Sequence, residues 1–108
     1  MPRNSHDNSL YRFDRVKQLA KTYSLKPRYY GFVYENQSTH IKRNIRIIDR
    51  IDKALEELNE ELKTIFRNTF FDIKDLYWWN TYYSKTTFYR LRNQAIKDFL
   101  LAYDNYEK

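Results

Sequence analysis

The stretch LYWWNTYYSKTTFYRLRNQAIKDFLLAY, residues 76–103, decides the predicted fold. Ser84 is a good helix N-cap, because its hydroxyl can accept a hydrogen bond from an unpaired N–H of the first turn. No Gly or Pro follows it, so a helix can continue from Lys85 through the end of the stretch. Apolar residues recur at spacings of three and four, which places them on one helix face: Phe88, Leu91, Ala95, Phe99 and Ala102.

A second face of this helix is polar and basic. Between Ser84 and Lys97 there are four basic residues and no acidic one. A recognition helix in a DNA major groove requires one apolar side and one cationic, hydrogen-bonding side. The same division is also found on helices whose polar face is only solvated. This second face consists of Lys85, Thr86, Tyr89, Arg90, Asn93 and Lys97.

The string SKTTFYRLRNQAIKDF, residues 84–99, resembles the last helix of the ArpU-type phage late-gene regulators. These regulators are themselves similar to the helix-turn-helix of sigma-factor region 4. The string ALEEL, residues 54–58, followed by an aromatic residue at Phe70 or Phe71, also fits, so the resemblance covers about residues 12–106. The resemblance implies a sequence-specific double-stranded DNA-binding transcription regulator of a phage-like or small bacterial genome.

If the last helix is a recognition helix, its polar face also suggests roles for individual residues. Four are expected to face base edges, where Arg can pair with guanine and Asn with adenine: Thr86, Tyr89, Arg90 and Asn93. Six are expected to contact phosphates, three on the last helix and three on an earlier one: Lys85, Arg92, Lys97, Lys42, Arg43 and Arg46.

We expect the helix-turn-helix to span residues 72–103 and to be degenerate. Asp72 would cap a short first helix ending at Trp79 or Asn80. Such units commonly have a small residue in the first helix and often Gly in the turn. This chain has Trp78 and Trp79 near the first position and no Gly at the second. We therefore expect the two helices to lie farther apart or to cross at a different angle. The first helix is expected to pack on Phe88 and Leu91 through Ile73, Leu76, Tyr77 and Trp79.

The composition predicts an all-α fold in one small helical domain of 108 residues. One Gly and two Pro are too few for a turn-rich β protein. The absence of Cys excludes disulfides and thiolate metal sites and fits a cytoplasmic protein. No apolar run approaches the length of a membrane span, and we expect no signal peptide.

Upstream of residue 60 we expect two helices and an aromatic loop. The apolar spacing predicts a helix over residues 9–23, and Pro27 should end any continuation. The loop, residues 24–40, contains aromatic side chains that either cover the end of the core, which we favour, or stack on bases: Tyr29, Tyr30, Phe32 and Tyr34.

A wide apolar stripe predicts a long helix over residues 41–58. Its width favours a core helix, although its near-heptad spacing leaves a helical dimer open. A break is expected near 58–60, because Asn59 can cap a new helix that starts with two glutamates. A C-terminal three-helix unit then spans residues 60–106. The stripe consists of Ile41, Asn44, Ile48, Ile51, Leu55, Leu58, Leu62 and Ile65.

Charge is distributed unevenly within the net +6. Residues 1–46 hold ten basic and three acidic residues, residues 47–76 five and eight, and residues 77–108 five and three. If the two basic ends fold beside each other, they form a positive surface of the kind that faces phosphates.

The sequence contains no motif that indicates catalysis, so we expect no enzyme, cofactor or metal site. His6 and His40 lie in expected loops, and neither a Gly-rich phosphate loop nor a His-Glu-x-x-His motif occurs. Two alternatives to DNA binding stay open. One is a helical protein-interaction module, either a homodimer or an RNA polymerase adaptor that docks through the acidic middle. The other is an RNA binder that uses exposed aromatic side chains.

Overall fold

Five α-helices and one turn of 3-10 helix make up the computed structural model, which describes residues 3–30, 39–73 and 75–106. The helices are α1 (Arg3–Tyr23), α2 (Lys26–Tyr30), α3 (Thr39–Glu56), α4 (Glu60–Phe70) and α5 (Lys85–Asn105), and the 3-10 helix is Trp78–Thr81. No strand occurs in the described ranges, and the predicted all-α fold is confirmed.

One core joins α1, α3, α4 and α5. At its centre the Phe66 ring of α4 stacks on the Phe99 ring of α5, with centroids 4.4 Å apart, and both side chains are fully buried. Val16 of α1 and Ile51 of α3 pack into the same cluster. The shortest dimension of the described chain is 20 Å, about two helix diameters, so each long helix buries one face and exposes the other.

The apolar stripe of α3 is covered by this core. Ile48, Ile51 and Leu55 are at most 4% exposed, and Leu58 just beyond the helix is 5% exposed. The helices α1 and α5 of the same chain pack against α3. The stripe whose near-heptad spacing left a dimer open is therefore covered within one chain.

The predicted break between the third and fourth helices is confirmed. The helix α3 ends at Glu56, and Asn59 caps α4 by accepting a hydrogen bond from the Leu62 backbone N–H at 2.8 Å. Two glutamates in the first turn of α4 suit the positive end of its dipole. The bend turns the chain so that α4 packs against α5.

The prediction of a loop over residues 24–40 is wrong in its first part, because Lys26–Tyr30 is helical. Pro27 lies in the first turn of α2, where a missing N–H costs no helical hydrogen bond. Tyr29 is buried, and its hydroxyl accepts a hydrogen bond from the Asn44 amide at 3.0 Å, so it has the favoured core role. Phe32, Tyr34 and the side chain of Tyr30 lie outside the described residues.

The predicted short helix from Asp72 to Trp79 or Asn80 is also wrong. The described residues of this segment form only the 3-10 turn Trp78–Thr81, preceded by irregular chain. The Asp75 carboxylate accepts a hydrogen bond from the Tyr77 N–H at 2.9 Å, a local bond that competes with helix formation. The expected first helix of the helix-turn-helix is thus absent from the described residues, and α4 is the helix that precedes α5.

The packing predicted for this segment holds only for the tryptophan. Trp79 stacks on Phe88, with centroids 4.8 Å apart and an interplanar angle of 8°, and the edge of Trp78 meets the same ring at 5.7 Å. The other expected core residues are 52–75% exposed, because the described part of this segment is irregular and does not form a helix with one apolar face: Ile73, Leu76 and Tyr77.

Candidate functional site

The start and orientation of α5 follow from two local features. Ser84 caps the helix as predicted, because its hydroxyl accepts a hydrogen bond from the Thr87 N–H at 3.2 Å. Phe88, 3% exposed, is held between Trp79 and the buried Ile65 of α4. This anchor determines which face of the first turns of α5 is left in solvent.

The polar face of α5 predicted from the sequence is exposed along its first three turns. Tyr89 is 38% exposed and packs along Trp79 and Phe88 at the edge of this face. Among the described residues, neither Lys85 nor Arg90 forms a salt bridge. Their positive charges are therefore uncompensated by the chain itself. The exposed residues of this uncovered face are Lys85, Thr86, Tyr89, Arg90 and Asn93.

Beyond Asn93 the same side of α5 is covered by α1. Ile96 and Leu100 lie on the same side of the helix as Tyr89 and Asn93, farther toward its C-terminus. They are nevertheless only 2% and 5% exposed. They belong to the core cluster that includes Val16 of α1. The uncovered face is therefore short, about 12 Å from Lys85 to Asn93 at 1.5 Å per residue.

Lys97 lies at the border where α1 meets α5. It is exposed and lines a groove together with Arg12 and Arg15 of α1. Asp104 forms a salt bridge with Arg15 and raises the pKa of the Arg15 guanidinium through their hydrogen bonds. Arg12 and Lys97 thus remain the basic pair of this groove. Arg12 was not predicted as a site residue, because only the crossing of α1 over α5 brings it to Lys97.

Arg92 has a different environment from the one predicted for a phosphate contact. Its guanidinium lies 4.8 Å from the centroids of both the Phe13 ring of α1 and the Tyr89 ring. Burial lowers the pKa of this guanidinium below its ordinary value. Arg92 therefore contacts both α1 and the edge of the uncovered face, and its contact with the Tyr89 ring stabilises the position of that ring.

The predicted basic cluster on α3 lies away from the uncovered face. Lys42, Arg43 and Arg46 are exposed. Farther along α3, Arg50 donates to the backbone carbonyl of Tyr103 at 2.6 Å, so α3 meets α5 near its C-terminal end. Lys85 is eighteen residues, about 27 Å, from that contact.

The direction of α3 places its basic cluster even farther from the uncovered face of α5. Lys53 and Glu57, toward the C-terminal end of α3, share a groove with Asp98 and Leu101 of α5. The two helices therefore run antiparallel, and the N-terminal part of α3 extends past the end of α5. The structure thus places the two predicted basic groups at opposite ends of α5.

Sequence reasoning did not identify the function of Arg50. Besides Tyr103, its guanidinium donates to the carbonyl of Asp104 at 3.4 Å and lies 4.3 Å from the centre of the Tyr103 ring. The last turn of α5 contains no basic residue, so Arg50 supplies the positive charge that favours a helix C-terminus. No spacing within α5 could have indicated this partner, because Arg50 belongs to another helix.

The described residues show no arrangement typical of a metal site or of a membrane span. No group of three or more His, Cys, Asp or Glu side chains there is arranged to hold a metal ion. None of the helices described combines the length and the apolar character needed to cross a membrane. The side chain of His6 lies outside the described residues, and His40 is exposed.

Comparison with protein-family models, curated proteins and solved structures finds no match to this chain. The resemblance to the ArpU-type regulators therefore stays a prediction made from residues 84–99, the string at residues 54–58 and the aromatic residue at Phe70 or Phe71.

Proposed function

We propose that this chain is a sequence-specific double-stranded DNA-binding transcription regulator that uses α5 as its recognition helix. The observation that supports this most is the uncovered face of α5. It combines two unpaired cations with hydroxyl and amide groups, and it contains no acidic side chain.

The size of the uncovered face fits the proposed role. The B-DNA major groove is about 12 Å wide, similar to the length of the face from Lys85 to Asn93. Recognition helices commonly contact base edges with their N-terminal residues. Here α1 covers the C-terminal half of α5, so only the N-terminal half can enter a groove. Lys97 and Arg12 would then lie beside the flanking phosphates.

The test is the salt dependence of binding to genomic DNA fragments, with RNA as a competitor. Neutralising the phosphates nearest Lys85, Lys97 and Arg12 should give a slope of about −3 in log affinity against log salt concentration, at about −0.9 per phosphate. Lys53→Ala is the matched control, because it removes an exposed charge on another face and should leave this slope unchanged. A flat salt response, or no binding at low salt, would contradict the proposal.

A second candidate is the protein-interaction module, for example an RNA polymerase adaptor. The irregular chain and 3-10 turn before α5 expose several large apolar side chains by 52–75%, and clustered exposure of this kind marks interaction surfaces. Substitution of Leu76 and Tyr77 by Ser should abolish partner capture and leave duplex binding intact if this candidate is correct. The exposed residues are Ile73, Leu76, Tyr77 and Tyr82.

A further inference from the structure

The groove where α1 crosses α5 contains two exposed apolar side chains that are far apart in the sequence. Tyr11 of α1 is 65% exposed and Leu101 of α5 is 63% exposed, and both line this groove. Neither belongs to the core cluster in which their helices bury their apolar faces. The crossing of the two helices therefore brings a second, solvent-facing apolar pair to one recess of about 390 Å³, which we call the α1–α5 groove.

The shape of the α1–α5 groove suits a helix of another protein. Leu100 also lines it and belongs to the core cluster, so the apolar lining of the recess reaches the core. An amphipathic helix docks in such a groove by inserting apolar side chains that recur at spacings of three and four. A membrane surface would instead require an apolar face that protrudes from the protein.

The charge of the α1–α5 groove favours an acidic partner. Arg12, Arg15 and Lys97 line it together with one carboxylate, that of Asp104. Asp104 forms a salt bridge with Arg15, whereas Arg12 and Lys97 form none among the described residues. Carboxylates of a partner placed beside these two cations would complement their charge.

The opposite side of Leu101 has the opposite charge. A neighbouring groove between α3 and α5 also includes Leu101, and its charged lining residues are Glu56, Glu57, Asp98 and Lys53. Three carboxylates and one ammonium would repel an acidic helix. The charges on the two sides of Leu101 therefore direct an acidic helix to the side of α1.

We propose that the α1–α5 groove binds an acidic amphipathic helix of a protein partner. Its apolar face would cover Tyr11 and Leu101, and its carboxylates would lie beside Arg12 and Lys97. The proposal goes beyond DNA recognition, because phosphates can use the two cations but cannot bury the two apolar side chains. One consequence rests on the proposed function: a duplex would use the same two cations for its flanking phosphates, so the bound helix should displace the duplex.

The probe is a synthetic helical peptide with leucine at spacings of three and four and glutamate at the positions between. In one control peptide lysine replaces every glutamate, and in the other glutamine replaces every leucine. Fluorescence anisotropy of the labelled peptides measures their binding to the full chain. We expect saturable binding of the acidic leucine peptide and at least about tenfold weaker binding of each control. Equal binding of either control, or no binding of the acidic leucine peptide at low salt, would overturn the proposal.

Two exposed leucines give a matched test of the apolar contact. Leu101→Gln removes an apolar wall of the groove and should weaken binding of the acidic leucine peptide by about tenfold or more. Leu10→Gln makes the same change at a residue of α1 that is 66% exposed and does not line the groove, so it should leave the affinity unchanged. Circular dichroism melting verifies that both variants are folded. Equal peptide affinities of the two folded variants would overturn the proposal.

Two arginines give the matched test of the charge. Arg12→Glu reverses a charge that lines the groove and should weaken peptide binding at least about fivefold at low salt. Arg43→Glu changes the net charge of the chain by the same amount, at an exposed position of α3 outside the groove. If both variants lost affinity equally, the peptide would be attracted only by the net charge of the chain, and the groove would be excluded as its site.

Two further measurements separate this proposal from DNA binding and from self-association. Peptide binding is measured without DNA, so a chain that binds the peptide through Leu101 and Arg12 but binds no duplex would support the groove and contradict the proposed function. Displacement of a bound duplex by the peptide would support both. If the chain alone sedimented as a dimer that Leu101→Gln dissociates, the occupant of the groove would be a second copy, and the proposal of an acidic partner would be overturned.

Discussion

Arg90 and Asn93 lie within the uncovered face of α5, whereas Lys97 lies at its border with α1. If the face enters a groove, Arg90→Ala or Asn93→Ala should weaken binding to the preferred site by about 1–3 kcal/mol. Binding to unrelated DNA should fall less, so that specificity relaxes. Competition titrations with specific and nonspecific duplexes measure the difference. The melting temperature should hardly change, because both side chains are exposed.

Lys97→Ala should behave differently, since it removes a charge beside the groove and no contact to a base. Affinity should fall equally on all sequences, and the salt slope should become shallower by about one. If Lys97→Ala instead alters sequence preference while Arg90→Ala does not, the helix is rotated relative to the proposed docking.

Lys26 of α2 is expected to make a pH-dependent contribution to the free energy of unfolding. Its ammonium lies 2.8 Å from the Asp52 carboxylate of α3, which also accepts a hydrogen bond from the Tyr23 hydroxyl at 2.6 Å. The hydrogen bond to Asp52 raises the pKa of Lys26 above its ordinary 10.5. The stabilisation is therefore fully present below pH 10.5 and is lost as the pH rises through the higher folded-state pKa.

The measurement is the unfolding free energy of Lys26→Met relative to the native chain, followed from neutral pH upward. Because both side chains of the pair are about one-third exposed, the difference should not exceed about 1 kcal/mol. It should be constant below pH 10.5 and shrink as the pH rises above that value. A difference that grows with rising pH would contradict the assigned pair.

For single residues of α5, the exposure of the polar face could be predicted from helical periodicity alone. Phe88, Ala95 and Phe99 recur at helical spacing and are buried, so Lys85, Arg90 and Asn93 fall outside that buried stripe and are exposed. The environment of Arg92 could not be predicted in this way. It depends on Phe13, which is distant along the chain and arrives only through the crossing of α1 over α5.

The packing of the 3-10 turn against α5 depends on one buried aromatic side chain, Phe88. Phe88→Ala would leave a cavity beside Trp79 and should lower the unfolding free energy by about 3–5 kcal/mol. Leu76→Ala is the comparison, because Leu76 is 75% exposed and should change stability by no more than about 0.5 kcal/mol. Urea unfolding measures both. A large cost for Leu76→Ala would restore the helix first predicted for this segment.

Element boundaries set by capping residues were predictable, and those set by competing local bonds were not. Ser84 caps α5 and Asn59 caps α4. Both were predicted, because each residue directly precedes a stretch with helical apolar spacing. Residues 72–80 look helical by apolar spacing, but the Asp75 carboxylate binds the Tyr77 N–H and irregular chain results. The helix α1 ends before Pro27, but residues 26–30 of the predicted loop form α2, because the first turn of a short helix accepts proline.

For the whole molecule, the arrangement of charge depends on topology. The bend at Asn59 sends α3 antiparallel to α5, and Arg50 pairs with the C-terminal end of α5. The basic residues of α3 therefore lie at one end of α5 and Lys85 at the other. Net charge per segment, read along the chain, could not distinguish this arrangement from one continuous basic surface.

The oligomeric state is the remaining expectation at this scale. A stable dimer commonly buries more than about 1,000 Å² with an apolar centre. The α3 stripe cannot supply this area, because Ile48 and Ile51 are fully buried within their own chain. Sedimentation velocity should therefore show a monomer at micromolar concentration and well above it.

Only an exposed position can test where an interface would lie if a dimer were found. Ile48→Asp would place a charge in the core of one chain and should unfold it, so it cannot report on association. Leu76→Ser changes a side chain that is 75% exposed and should leave the fold intact. If Leu76→Ser dissociated such a dimer, the interface would be the exposed chain before α5. That chain adjoins the proposed DNA face, so dimerisation would then set the spacing between two recognition helices.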